Sequence, residues 1–283
     1  MSATIGAGKV RIGGGAPFVL IAGPCVIESE DLVWKTAEYL KELAGRLGIP
    51  LVFKSSFDKA NRSAADSFRG PGLVKGLEIL GRIRRELDIP VLSDVHRFEE
   101  IDPAAQALDV LQVPAFLCRQ TDFVMEVARR ARAINIKKGQ FLAPWDVSTL
   151  IEKAVAAGNG NILVTERGTT FGYNNLVADM RSLPAIRKMG VPVVFDATHS
   201  AQMPGGAGRS SGGDRAVVPC LARAAAGAGV DGLFLEVHPD PDRALCDGPN
   251  SLALDALPEL LSVLKEIDAV VKKAERSHAA DRS

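Results

Sequence analysis

The chain has 283 residues, 47% hydrophobic and 24% charged, and its 34 Lys and Arg balance 34 Asp and Glu to a formal charge of zero. That balance excludes a broad cationic surface for nucleic acid, and no apolar run approaches the roughly 18 residues of a membrane span. The first residues, Met1-Ser2-Ala3-Thr4-Ile5, lack a charged and then apolar leader, and cysteines at 25, 118, 220 and 246 show neither zinc-ribbon nor disulfide spacing, so a cytoplasmic protein is expected.

The first predicted element is a short hairpin made from Lys9 to Ile12, the glycines Gly13, Gly14 and Gly15, and Phe18. Eight short apolar runs follow: Phe18 to Ala22, Leu51 to Phe53, Pro90 to Leu92, Val110 to Val113, Ile134 to Ile136, Ile162 to Val164, Val191 to Phe195 and Gly232 to Leu235. They are continuously hydrophobic rather than alternating, as strands covered on both faces require. Helical patterns separate them. Val33, Ala37, Leu40, Ala44 and Leu47 share one helical face, and Leu73, Leu77, Leu80, Ile83 and Leu87 share another, with Gly48, Pro50 and Pro90 as stop signals. Eight strands alternating with helices predict a single (β/α)8 TIM barrel over residues 1–283. The hairpin would close its floor, and a last helix near Leu257 to Val271 would complete the ring. An open doubly wound sheet is the competing topology.

In such a barrel the functional groups sit at the C-terminal ends of the strands. Cys25 follows the first run, and His199, Glu236 and Asp247 lie at or just beyond the ends of later ones. Brought to one mouth, a thiolate, an imidazole and two carboxylates would suit a divalent transition ion; zinc, iron, manganese and cobalt all accept that mixture. A thiol buried as a small hydrophobe is the plainer account of Cys25. Lys54, Lys137 and Arg167 end three other runs and would make a cationic cluster for a phosphate and carboxylate on one small ligand. Structural salt bridges, or Schiff-base chemistry at Lys54 or Lys137, are the alternatives. The Gly- and Ser-rich stretch Gln202 to Asp214 has the composition of a loop that closes over substrate.

Several longer motifs carry a resemblance. Ala22-Gly-Pro-Cys25, Phe53-Lys-Ser-Ser-Phe-Asp-Lys-Ala-Asn-Arg-Ser63, Gln112-Val-Pro-Ala-Phe-Leu-Cys-Arg-Gln-Thr-Asp122 and Thr165-Glu-Arg-Gly-Thr-Thr-Phe-Gly-Tyr-Asn-Asn175 are similar to segments of 3-deoxy-D-manno-octulosonate 8-phosphate (Kdo 8-phosphate) synthases. Asp196-Ala-Thr-His-Ser200 and Glu236-Val-His-Pro-Asp240 are too, so the likeness spans nearly the whole chain. It implies condensation of phosphoenolpyruvate with arabinose 5-phosphate, a step towards the Kdo of lipopolysaccharide. It also implies that Lys54, Lys59, Gln112, Lys137, Arg167 and His199 hold phosphoenolpyruvate. Asn61, Arg62 and Ser63 would take the pentose phosphate, with Asp94 near the reacting sugar. Phe116 and Arg119 would reach a neighbouring subunit's site, in a family that is usually tetrameric. Cys25 aligns the chain with the metal-dependent members, together with His199, Glu236 and Asp247. Leu245-Cys-Asp-Gly-Pro-Asn250 resembles the metal-free form as much, which leaves Asp247 the least secure ligand and Cys246 either a second sulfur donor or a structural thiol. Catalytic work would fall to Cys25, Lys54, Asp94, Lys137 and His199. The closest rival is the related synthase that uses erythrose 4-phosphate, but Lys59-Ala-Asn-Arg-Ser63 differs from its usual Lys-Pro-Arg-Thr pattern. A barrel that binds sugar phosphates without catalysis is the third reading.

Overall fold

The structure, a computed structural model, describes residues 2–280 apart from 207, 209 and 210. It opens with an antiparallel hairpin of β1 (Thr4–Ala7) and β2 (Val10–Gly13). Strand and helix then alternate through β3 (Val19–Gly23), α1 (Glu30–Leu47), β4 (Leu51–Lys54), α2 (Leu73–Glu86), β5 (Val91–Asp94), α3 (Phe98–Ala107) and β6 (Val110–Val113). They continue through α4 (Thr121–Arg130), β7 (Ile134–Lys137), α5 (Val147–Ala156) and β8 (Ile162–Glu166). A two-stranded excursion, β9 (Thr169–Thr170) and β10 (Leu176–Val177), precedes α6 (Ser182–Arg187) and β11 (Val193–Asp196). After α7 (Ala197–Ser200) and a second small pair, β12 (Gln202–Met203) with β13 (Gly212–Gly213), come α8 (Val218–Ala228) and β14 (Gly232–His238). A short β15 (Leu252–Ala253) and the long α9 (Leu257–Ala280) finish the chain.

Strands β3 to β8, β11 and β14 pair in parallel in that order, and β14 pairs back onto β3. The sheet therefore closes into an eight-stranded (β/α) barrel, and the open-sheet alternative falls. All eight strands are buried along their length, which is why their sequences show no alternation. Seven of the runs extend by one to three residues at their C-terminal ends, taking in Gly23, Lys54, Asp94, Lys137, Glu166, Asp196 and His238. Polar side chains there still belong to the strands, and Lys54, Asp94 and Lys137 line the barrel mouth.

The helices follow the predicted faces. α1 buries Val33, Ala37, Leu40, Leu43 and Ala44; Ser29 caps it by accepting from the Leu32 N–H, and Gly48 ends it in the left-handed region. Each fully buried aliphatic side chain of this kind contributes about 1.5–3 kcal/mol. The hairpin is displaced from its expected position. Its turn falls at Gly8 and Lys9, with φ +56° at Gly8, and the glycine triplet lies beyond it. Gly13 is needed instead for close approach, since a Cβ there would meet the Ala3 carbonyl at 2.2 Å. The hairpin does close the floor: Ile5, Ala7 and Ile12 pack beneath the inward-facing Val19, Ile21, Val52, Leu92, Leu163 and Phe234.

Candidate active site and metal centre

The opposite end of the barrel holds a cavity of about 450 Å³. Lys54, Asp94, Gln112, Lys137, Arg167 and His199 line it from the strand ends or the turns just beyond, and Lys59, Asn61, Arg62, Ser63, Cys246 and Asp247 from longer loops. Phe116 stands at its edge, 54% exposed. Arg119 is exposed and is not among the lining residues of its own chain. In the Gln202 to Asp214 stretch, Gln202, Pro204, Gly205 and Ser211 line the cavity; Ala207, Arg209 and Ser210 lie outside the described residues.

Each strand-end charge is held by a polar partner, buried in the case of Lys54 and Lys137. Lys54 Nζ donates to the Cys25 carbonyl at 2.8 Å and to Glu236 Oε1 at 2.9 Å. Lys137 pairs with Asp196 and lies 3.4 Å from the centroid of Phe234. Burial pulls the Lys137 ammonium down to about 8, even against the raising effect of Asp196. Arg167 is lowered by burial as well, and its guanidinium donates to Gln202 Oε1 at 3.1 Å. Gln112 is fixed by a relay along the barrel interior: Asn135 donates to it at 2.9 Å, and Thr165 donates to Asn135 at 2.7 Å.

Asp94 would be pushed up by burial, but Lys59, His96 and Lys54 outweigh that and hold it well below the usual carboxylate range. The same cluster acts on its neighbours. Burial lowers Lys59, while Cys25, Asp94 and Glu236 raise it further still. His96 Nε2 lies 3.0 Å from Asp94 and its Nδ1 3.7 Å from Glu100. Desolvation disfavours the imidazolium, yet the two carboxylates bring His96 up to about 9.

The four predicted metal donors fall into two neighbouring groups that share Asp247. Asp247 Oδ2 lies 3.2 Å from Cys25 Sγ and 3.5 Å from His199 Nε2, and Glu236 Oε2 lies 3.7 Å from the same ring nitrogen. Asp196 engages His199 Nδ1 at 2.7 Å, which leaves Nε2 directed at the carboxylates. Glu236 is fully buried, and its Oε2 has no hydrogen-bond partner among the described residues. A buried carboxylate oxygen of that kind is costly unless a cation completes it. The donor set thus fits a divalent ion. Burial raises the Cys25 thiol, and the neighbouring Cys246, Asp247 and Glu236 add to the rise.

Asp196, Asn135 and Thr165 are site residues that the sequence reading assigned no role, and Gln202 was read only as the start of a loop that closes over substrate. Asp196 stood in a quoted motif, three residues before His199 at a strand end, and that spacing was its one signal. Asn135 and Thr165 are polar residues inside apolar strands, which is itself unusual for a barrel interior.

A closed parallel barrel that gathers buried cations and a group of possible metal donors at one mouth defines the class as a (β/α)8-barrel enzyme. The DAHP synthetase I family matches residues 2–273. The chain is 60% identical over 268 residues to a 2-dehydro-3-deoxyphosphooctonate aldolase of Geotalea uraniireducens, covering 95% of this chain and 98% of the relative. It is 61% identical to the enzyme of that name from Desulfosudis oleivorans, over 94% and 96%, and 58% identical to that from Geobacter sulfurreducens, over 96% and 100%. The chain belongs to the DAHP synthetase I family, among its 2-dehydro-3-deoxyphosphooctonate aldolases.

Proposed function

We propose that this chain condenses phosphoenolpyruvate with D-arabinose 5-phosphate and water, giving 3-deoxy-D-manno-octulosonate 8-phosphate and inorganic phosphate. The observation that carries the reading is one cavity lined by deep cations, an Asn61-Arg62-Ser63 rim and a donor cluster. In this reading Lys54, Lys59, Gln112, Lys137, Arg167 and His199 hold phosphoenolpyruvate, their charges meeting its phosphate and carboxylate. Asn61, Arg62 and Ser63 take the pentose phosphate, and Asp94 faces the reacting sugar. Relatives named for the octonate product favour this substrate pair over erythrose 4-phosphate.

Cys25, His199, Glu236 and Asp247 would hold the divalent ion, whether zinc, iron, manganese or cobalt. When bound, such an ion polarises a carbonyl oxygen or makes water more acidic. The rest is work for the chain. C3 of phosphoenolpyruvate bonds to the aldehyde carbon, whose oxygen takes a proton; water adds at C2; the C2–O bond to phosphate then breaks, leaving the ketone. Positioning carries much of the rate, because C3 is a weak nucleophile. Lys137 and Arg167 stabilise charge on the departing phosphate, while Asp94 and His199 are placed to move protons.

Residues 1–283 form one catalytic domain in this account, and a homotetramer completes the site. Exposed Phe116, Arg119, Phe171 and Tyr173 support the oligomer, since aromatic side chains left bare on one chain suit a partner surface. The product feeds the Kdo of lipopolysaccharide, and phosphorylated substrates place the enzyme in the cytoplasm. The Gln202 to Asp214 stretch closes over both substrates, so limited proteolysis should slow when both are present.

The deciding assay is phosphate release with arabinose 5-phosphate against erythrose 4-phosphate, before and after chelation and with divalent ion restored. Preference for the four-carbon sugar would overturn the substrate assignment, and full activity after exhaustive demetallation would overturn the ion. Borohydride trapping with a keto acid tests the Schiff-base rival, and should label neither Lys54 nor Lys137.

A further inference from the structure

We propose that Cys246 is a second sulfur donor to the metal centre, so that the ion is gripped by two thiolates rather than one. The inference rests on the metal reading above and deepens it. Cys25 and Cys246 come from segments more than two hundred residues apart, yet their sulfurs lie 3.0 Å from each other in a buried pocket. Cys25, Cys246 and Asp247 present ligand atoms within 4.8 Å of one another, and so do His199, Glu236 and Asp247. Asp247 belongs to both groups and so joins the two thiols to His199 and Glu236. Glu236 Oε2, without a hydrogen-bond partner among the described residues, lies 3.7 Å from His199 Nε2 in the second group.

Backbone geometry explains how neighbours in sequence share a target. Side chains of adjacent residues ordinarily diverge. Asp247 adopts φ +53° and ψ 24°, a left-handed conformation uncommon for a residue with a side chain, and the turn aims Cys246 and Asp247 at the same centre. The loop is also pinned: Glu28 Oε1 accepts from the Leu245 N–H at 2.8 Å, and His238 Nε2 lies 3.5 Å from that carboxylate.

Arg62 supplies the outer contact. Its guanidinium donates to Cys246 Sγ and to the Leu245 carbonyl. Hydrogen bonds to a ligating sulfur orient it and tune its donor strength, as outer partners of metal ligands generally do. The same arginine is assigned above to the pentose phosphate, so sugar binding and the sulfur environment of the ion are linked through one side chain. Two thiolates would also tilt the site towards thiophilic ions and away from manganese.

The test is to load wild-type, Cys25→Ser, Cys246→Ser and Cys246→Ala proteins with Co2+ and read the sulfur-to-cobalt charge-transfer absorption per bound ion. Each Cys246 variant should show about half the wild-type intensity, and the double variant Cys25→Ser/Cys246→Ser none, since intensity counts coordinating sulfurs. Cys118→Ser, at a buried thiol packed in the core outside the cavity, should keep the full band. Full wild-type intensity in both Cys246 variants would overturn the proposal and leave Cys246 a thiol bonded to Arg62. Failure of the wild type to bind Co2+ would instead overturn the metal reading itself. Thermal melts of each variant separate lost ligation from lost folding, and a melted Cys246→Ser leaves Cys246→Ala to decide.

Discussion

The strand-end groups and the loop groups of this mouth are built differently. Lys54, Lys137, Asp196 and Glu236 are nearly inaccessible, and each is paired with another buried charge. Asn61, Arg62 and Ser63 come from the long connection after β4; Asn61 and Ser63 are exposed and Arg62 is partly buried against Cys246 and the Leu245 carbonyl. Buried pairs are rigid because removing either partner strands the other in a low-dielectric interior. A partly solvated arginine can leave one partner for another at less cost. The contrast assigns the two proposed substrates: a fixed cradle for phosphoenolpyruvate and an adjustable rim for the pentose.

The strongest way to break that contrast is Lys137→Met. If the pair is as rigid as its burial implies, the variant leaves buried Asp196 to His199 and Thr198 without its lysine, and stability should fall by about 3 kcal/mol in urea denaturation, the lower end of the cost of breaking a buried pair. Turnover should be lost in the folded fraction. A variant as stable as the wild type would show that the cradle is not fixed by charge pairing.

The next effect is a pH dependence within the buried set. His96 sits between Asp94 and Glu100 and is raised to about 9 from an ordinary value near 6.5. Between those values the folded protein holds a proton that the unfolded chain has released, so the contribution is full below about pH 6.5 and disappears as pH climbs through 9. The amount is about 3 kcal/mol. His96→Asn should flatten the stability profile over that window while changing it little elsewhere in the alkaline range. An unchanged alkaline slope would remove His96 as the group that holds Asp94.

Arg62→Ala probes the rim. It should weaken use of arabinose 5-phosphate by about 1.5–3 kcal/mol in kcat/KM, the scale of a hydrogen bond to a charged group. Phosphoenolpyruvate KM should barely move, and stability should change by no more than about 0.5 kcal/mol. Equal losses for both substrates would erase the distinction between the regions.

The two regions were also unequally legible in the sequence. Strands were readable because a barrel covers both faces, and the placing of Cys25, His199, Glu236 and Asp247 at one end of the barrel was readable because strand ends and the loops beyond them meet there. The hairpin register was misread. A glycine triplet looks like a turn, whereas Gly13 is spent on clearance from the Ala3 carbonyl and the turn uses Gly8. The relay Gln112, Asn135, Thr165 escaped notice because its order exists only across three parallel strands in register, which no local spacing reveals. Arg62 was expected at a phosphate; its contacts with Cys246 and Leu245 join segments far apart in the chain and had no sequence signal.

Gln202 sharpens the comparison most finely, because it touches both regions. Its carbonyl oxygen accepts from Arg167 at 3.1 Å and its amide nitrogen donates to Asp247 Oδ1 at 3.1 Å. One side chain therefore ties a cradle cation to the loop that carries the proposed metal donor Asp247. Gln202→Ala should cost about 1 kcal/mol in each direction, since both bonds are charge-assisted but partly solvated, and water takes over some of each. Phosphoenolpyruvate KM and the dissociation constant of the bound ion should then rise together by about fivefold. Pentose KM should stay within error, because Arg62 reaches its own partners without Gln202. Should only the ion affinity change, Gln202 belongs to the metal loop alone, and Arg167 is held by the burial of its strand end.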